Sequence, residues 1–215
     1  VACGDADGAV TGNTRRFGAS LDKINQVVEA RPGEVMFGLN LVVHKGKTIF
    51  VGDTSVHEYP TSEQMAEIAI SAARVVRLFG FDPKVAFVSH STFGQPLTSR
   101  TKHIKNAVEI LKNKNVNFEF DGDMQPDVAL NEEYKSLYPF SKIVGNANIL
   151  IMPGQHSAAI SYKMMKTLGD TKVIGPLLIG LGLPIEIAPL RSSTSEILNL
   201  ASVAAYSADI IDYKK

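Results

Sequence analysis

Apolar residues recur along this chain in two alternating rhythms. Leu21, Ile24, Val27 and Val28 make one helical face, closed by Arg31–Pro32–Gly33. Val35–His44 and Thr48–Asp53 are β-rich runs joined by Lys45–Gly46–Lys47, which predicts a hairpin. After Pro60, the stretch Thr61–Ser62–Glu63–Gln64 reads as a capping box, and Met65, Ile68, Ala72, Val75 and Phe79 carry its helix to Gly80. Pro83 precedes a buried strand, Val85–Val88. Arg100–Lys114 is a basic amphipathic helix with Ile104, Val108 and Leu111 inward. Val116–Phe120 predicts a strand, Asp127–Leu137 a helix, Asn148–Met152 a strand, and Ala158–Leu168 a helix stopped by Gly169.

The pattern culminates in Val173–Ala208. An apolar, Gly-rich run, Val173–Leu183, leads into a short strand at Pro184–Pro189. Ser193–Thr194–Ser195–Glu196 then forms a second capping box, followed by Ile197, Leu200, Ala201, Ala204 and Ala208 at helical spacing. A strand feeding a helix N-terminus through a loop predicts an anion site, because free amides and the positive end of the helix dipole converge there.

From Val85 onward strands and helices alternate, which predicts an α/β fold with a largely parallel sheet. Three strands end in polar loops: Ser89–Gly94, Asp121–Gln125 and Gly154–Ser157. Ligands of open parallel sheets bind beyond such carboxyl ends. A two-lobed arrangement follows, with residues 1–33 and 184–215 in part of a first lobe and 34–183 in a second.

Composition narrows the partners. Lys plus Arg equals Asp plus Glu at 22 each over 215 residues, so nothing global attracts nucleic acid or an anionic membrane, and an anionic ligand needs a local site. Cys3 is the single cysteine, which rules out an internal disulfide or a cysteine-based zinc site and fits a reducing cytoplasm. The apolar run Val173–Leu190 is broken by Gly, Pro and Glu186 and reads as buried strands, not a membrane span. No signal peptide is visible, and a start at Val1 leads us to expect a segment of a longer chain.

Candidate chemistry is sparse. Asp5–Asp7–Gly8 has the start of a calcium loop without its further ligands, so no metal site is expected. Neither G-x-G-x-x-G nor a Walker A sequence occurs. His90–Ser91 and His156–Ser157 invite a nucleophile reading, but neither serine sits in a G-x-S-x-G elbow. Asp121 and Asp123 fit either paired carboxylates or an Asx turn. Arg100, Lys102, Lys105, Lys112 and Lys114 fit either a phosphate-holding face or, as the favoured reading, a solvated helix face. Arg15–Arg16, between a Gly-ended strand and a helix, fit either a bidentate phosphate contact or plain surface.

Seven stretches in order resemble the phosphate acetyl/butyryltransferase (phosphotransacetylase) domain over essentially the whole chain. They are Asp7–Gly12, Pro60–Ala73, Val85–Thr92, Asp121–Ala129, Ala147–Pro153, Ile160–Lys163 and Ile174–Gly182. Thr11–Arg16, Ser91–Gly94, Asp127–Asn131, Tyr138–Phe140 and His156–Ala158 are more similar to the branch fused to the C-terminus of NADP-dependent malic enzymes. The resemblance implies a two-lobed three-layer α/β/α fold of isocitrate dehydrogenase-like architecture, with an incomplete first lobe, an interlobe ligand cleft and homodimerisation through the second lobe.

What the resemblance implies about chemistry is uneven. Active members carry a Ser-Arg pair before the last helix, an Asp at its start and an Arg in the first helix. Those places here hold Pro189, Leu190, Glu196 and Asp22. Arg191 lies one residue beyond the missing Arg. Each lost electrostatic clamp costs ~100-fold or more in rate. We therefore expect no catalytic residues and a regulatory domain that binds acetyl-CoA as an allosteric inhibitor. Its ligand contacts are expected at Thr14, Arg15, Arg16, Ser91, Thr92, Gln125, Arg191, Ser192 and Glu196. NADP and Mg or Mn, with the conversion of malate to pyruvate and CO2, would belong to malic enzyme domains of the same cytoplasmic chain. The alternatives are an active acetyl- or butyryltransferase, with Arg15, Arg16 and Arg191 replacing the lost groups, and a structural oligomerisation module.

Overall fold

The computed structural model describes residues 1–210, so the last five positions of the 184–215 segment lie outside the described residues. The chain opens with β1 (Ala9–Gly12) and α1 (Phe17–Ile24), followed by the hairpin β2 (Phe37–His44) and β3 (Lys47–Gly52). Lys45 and Gly46 turn that hairpin with φ of 47° and 78°. Then come α2 (Ser62–Leu78), β4 (Lys84–Val88), α3 (Ser99–Lys114) and β5 (Glu119–Met124). Two short helices, α4 (Pro126–Leu130) and α5 (Glu132–Lys135), precede β6 (Ile149–Ile151) and α6 (Gln155–Leu168). The described chain closes with β7 (Thr171–Ile179), β8 (Ile185–Ala188) and α7 (Thr194–Ile210).

Six strands form one sheet in the order β5–β4–β6–β3–β2–β7, and β1 pairs with β8 in a second, parallel sheet. Strands β5, β4, β6 and β3 are mutually parallel, whereas β2 runs antiparallel to both β3 and β7. The sheet is therefore mixed, and its parallel half carries the crossover helices.

Side chains alternate strictly across this sheet. Phe50, Val85, Phe87 and Ile149 face a core completed by Met65, Ile68 and Ala72 of α2 and Ile104 and Leu111 of α3. Their neighbours Val51, Ala86, Val88 and Leu150 face a second core with Val128 of α4 and Ala158 of α6. Helices on both faces explain why these strands read as unbroken apolar runs. Each aliphatic side chain so buried contributes about 1.5–3 kcal/mol. No helix among the described residues is long and apolar enough to cross a membrane.

Local signals largely set the helix ends. The Thr61 hydroxyl accepts from the Gln64 amide at 3.2 Å and Gln64 Oε1 accepts from the Thr61 amide at 2.8 Å, completing the expected capping box. Three expectations need correction. The fifth strand begins at Glu119, not Val116, so Asp121 and Asp123 lie inside it rather than in the loop beyond. Asp127–Leu137 is not one helix, because Asn131 adopts φ −130° and ψ 115° between α4 and α5. Val27 is 69% exposed, since α1 stops at Ile24 before that residue can turn inward.

The two sheets meet at β8. Ile185 and Ile187 face α1 with Leu21 and Ile24, while Ala188 faces the core shared with α2 and α7. Glu186 shares the Ala188 side and is 4% exposed. Its carboxyl accepts from the Leu178 amide of β7 at 2.9 Å, a hydrogen bond between the two sheets. Burial pushes this carboxyl from its ordinary value of 4.5 up to about 8, and the Leu178 bond opposes the shift only in part.

Because the folded state holds this proton more firmly, its stabilisation is complete below the ordinary value of 4.5 and is lost as pH rises to about 8. Chemical denaturation should show stability declining over that window by an amount on the order of a few kcal/mol. Glu186→Gln keeps an acceptor for the Leu178 amide and should flatten the decline. An unchanged slope in that variant would remove Glu186 as its source.

Candidate functional site

Two turns are tied together at the end of the small sheet. Asn13 N–H donates to the Ala188 carbonyl at 2.9 Å, and Arg191 N–H donates to the Asn13 carbonyl at 3.0 Å. Both residues are left-handed, with φ of 62° and 61°. The pairing sets Thr14, Arg15 and Arg16 of one turn beside Arg191 and Ser192 of the other. Arg15, Arg16 and Arg191 are exposed, and among the described residues none of them forms a side-chain hydrogen bond or an ion pair. Three guanidinium groups thus stand unneutralised on one pair of turns. Thr14 and Arg15 line a groove of about 660 Å³ beside Lys23 of α1. The Ser192 hydroxyl donates to the Pro189 carbonyl at 2.9 Å and serves its own turn.

The expected anion site at the start of α7 already has a carboxylate of the chain itself beside it. Glu196 Oε2 accepts from the Ser193 amide at 2.7 Å and from its hydroxyl at 2.9 Å, while Oε1 accepts from Lys166 of α6 at 2.6 Å. Lys166 first, then the Ser193 amide, hold this carboxyl down from 4.5 to about 2. A fixed carboxylate at the helix N-terminus satisfies the dipole that an anionic ligand would otherwise use. Pro189 and the 54% exposed Leu190 occupy the turn just before it.

Ser91, Thr92 and Gln125 come together elsewhere, at the ends of β4 and β5. Ser91 has no accessible surface and donates its hydroxyl proton to Asp123 Oδ2. Asp123 Oδ1 accepts from the Gly94 amide at 2.9 Å, and the Thr92 hydroxyl accepts from the Gln125 amide at 3.3 Å. Ser91, Thr92 and Asp123 thus bind the 89–94 loop to β5 rather than facing a ligand, whereas Gln125 lends only its backbone amide and its side chain is exposed. Asp121 works separately, accepting from the Lys142 amide at 2.8 Å, so the two aspartates anchor different loops. Between them Gly122 takes φ 153°, and a Cβ there would stand 2.7 Å from the Phe87 Cβ.

A cavity of about 420 Å³ lies beyond β4 and β6, walled by Ser89, His90, Arg100, His156 and Tyr59. The Tyr59 ring stacks on His156 at 6.3 Å with 13° between planes, and the Arg100 guanidinium sits 5.1 Å from the Tyr59 centroid. Arg100 therefore joins this cavity rather than a plain solvated face. Nothing in the sequence links these three residues, which arrive from three separate segments. His156 pairs with Glu58 at 3.1 Å, and the Ser157 hydroxyl donates to the Gly154 carbonyl at 2.8 Å. With Ser91 bound to Asp123 and Ser157 to a carbonyl, neither serine is activated by a histidine, and the nucleophile reading is dropped. Among the described residues no group of three or more His, Cys, Asp or Glu is placed to hold a metal ion. The groove holding Thr14 and Arg15 and the cavity holding Ser89 and His90 are separate.

Comparison with known proteins gives a consistent picture. Residues 1–205 match the family model described as phosphate acetyl/butaryl transferase. The chain is 45% identical over 208 residues to an NADP-dependent malic enzyme of Rhizobium meliloti, covering 97% of this chain and 27% of that protein. It is 32% identical over 215 residues to a phosphate acetyltransferase of Clostridium acetobutylicum, covering 95% of this chain and 64% of that protein. A phosphotransacetylase from Streptococcus pyogenes superposes with a TM-score of 0.91 at 30% identity, covering 97% of this chain and 65% of that one. The chain thus spans about a quarter of the malic enzyme it matches.

Asp123 is the hub of the 89–94 loop, and Asp123→Ala would take the acceptor from the half-buried Gly94 amide and leave the buried Ser91 hydroxyl only Ser89 Oγ, at 3.0 Å. Loss of an acceptor from a buried group costs about 1–3 kcal/mol. Thermal unfolding should show that loss. Ser192→Ala, which removes one hydrogen bond within a turn, should cost about 1 kcal/mol or less. Equal stability of wild type and Asp123→Ala would refute the anchoring role.

Proposed function

The chain belongs to the phosphate acetyl/butaryl transferase family, and from that premise we propose that it is a regulatory domain of an NADP-dependent malic enzyme. In this reading it binds acetyl-CoA as an inhibitor and has lost the acyl transfer of its relatives. The small sheet, within residues 1–33 and 184–215, belongs to one lobe, and residues 34–183 form the other. NADP, a divalent metal and the oxidation of malate would belong to other domains of a longer, cytoplasmic chain.

The β8–α7 turn carries this reading. Acyl transfer between CoA and phosphate needs donors where negative charge develops on the carbonyl and phosphoryl oxygens. This turn offers a proline ring and an exposed leucine at Pro189 and Leu190, and the adjacent carboxylate is committed to Lys166 and Ser193. What supports binding without turnover is the unneutralised trio Arg15, Arg16 and Arg191. CoA carries several phosphate charges, and guanidinium groups engage phosphate bidentately. Thr14 flanks this contact. Ser91, Thr92, Ser192 and Glu196 then act by holding loops and the α7 start in place, while Gln125 keeps an exposed side chain. Inhibition would follow from a ligand that prefers one arrangement of the lobes, a coupling of typically 1–3 kcal/mol.

Pairing of two copies belongs to the same reading. On α6, Ile160, Met164 and Leu168 recur four residues apart and are 58%, 54% and 81% exposed. An apolar stripe of this kind on the larger lobe suits a second copy of the chain.

Four measurements test these statements. In the intact chain, Arg15→Glu with Arg16→Glu should weaken acetyl-CoA binding by tenfold or more in calorimetry and relieve inhibition of malate oxidation in parallel. Acetyl phosphate formation should stay far below ordinary turnover of about 10 per second. Unchanged affinity removes the arginines from the site, and rapid acetyl phosphate formation makes the domain an active acyltransferase. Sedimentation equilibrium should give a dimer or higher assembly that Met164→Lys weakens, and a monomer at micromolar concentration would overturn the pairing.

A further inference from the structure

A third cavity, of about 330 Å³, lies where the two sheets meet, away from the arginine turns. Val75 and Leu78 of α2, Phe79 just past its end, Leu177 of β7 and Val203 of α7 form its apolar wall. Glu186 of β8 lines the same space. Strand alternation already turns its side chain to this side of the small sheet, opposite Ile185 and Ile187. Small-molecule pockets start near this size, and an apolar cavity of about 150 Å³ already holds benzene.

We infer that this cavity is a binding site for a small, uncharged, mostly apolar molecule carrying one hydrogen-bond acceptor, a carbonyl or hydroxyl oxygen, that faces Glu186. The inference is independent of the acetyl-CoA reading. The wall selects an apolar body, because such surface returns nothing to a hydrated ligand. The carboxyl selects the polar end. One of its oxygens accepts from the Leu178 amide at 2.9 Å, so the group is oriented by β7 before any ligand arrives. A buried carboxyl kept protonated up to about pH 8 offers an O–H donor, and a ligand oxygen completes that bond. The other titratable or charged groups lining the cavity are Arg31, Arg74 of α2 and Tyr206 of α7. Arg74 is engaged with Glu34 at 2.8 Å, and the Tyr206 hydroxyl donates to the Leu78 carbonyl at 3.2 Å. β7 contributes only apolar side chains and Gly180 to the lining.

Ligand-observed NMR on the intact chain tests this with three six-carbon probes: hexanamide, hexylamine and hexanoate. Hexanamide should bind more tightly than either ion near pH 6.5, and its affinity should fall about tenfold or more by pH ~9.5 as the carboxyl ionises. Glu186→Gln retains both an acceptor for Leu178 and a donor for the ligand, so binding should persist and lose its pH dependence. Val203→Phe fills the cavity from α7 and should abolish binding while circular dichroism stays unchanged. Absence of hexanamide binding, a preference for hexylamine or hexanoate, or binding that survives Val203→Phe would each overturn the inference.

Discussion

The parallel pairing of β1 with β8 is the constraint on which the rest of the small sheet depends. It joins positions 9–12 to positions 185–188, nearly the whole chain apart. Gly12 makes the closest approach possible, because a Cβ there would collide with the Ala188 carbonyl. Once the strands pair, the two following turns have no freedom to separate. Asn13 and Arg191 lock them with backbone hydrogen bonds, and three like charges are held on one edge.

The start of α7 shows the opposite solution. There the positive helix end is met by the chain's own carboxylate, Glu196, and Glu196 is tied in turn to Lys166 on α6. That ion pair reaches from the larger sheet's outer helix to the smaller sheet's helix. It sets a negative charge beside the place where a ligand phosphate would most simply dock. Local charge is thus spent on architecture at one turn and left open at its neighbour. The proposed regulatory reading draws on this division, since sensing without turnover keeps binding groups and dispenses with transition-state groups.

Glu186 is the internal counterpart. A carboxyl with no exposed surface to speak of is costly unless it is hydrogen-bonded or neutral, and here it is both. Leucine in its place would leave the Leu178 amide without an acceptor, which explains a polar group in an otherwise aliphatic strand. The same carboxyl carries the expected pH dependence of the sheet junction and lines the adjoining cavity.

The sequence by itself determined the elements, the layered α/β class and the family resemblance. These rest on local periodicity, capping chemistry and glycine stops, which a chain carries without tertiary help. The Thr61 and Ser193 boxes formed where the side chains demanded them. Boundaries moved where packing overrode local preference, as at Glu119, where pairing with Lys84 of β4 extends the strand through Asp121 and Asp123. The tertiary structure alone decided which polar groups are free. Ser91 and Arg15 look equally available as letters, yet one is buried against Asp123 and the other stands open beside Arg191. Tyr59, Arg100 and His156 meet only because three crossovers deliver them to one sheet edge. Availability depends on what lies within a few ångströms in space, and no spacing along the chain encodes that distance.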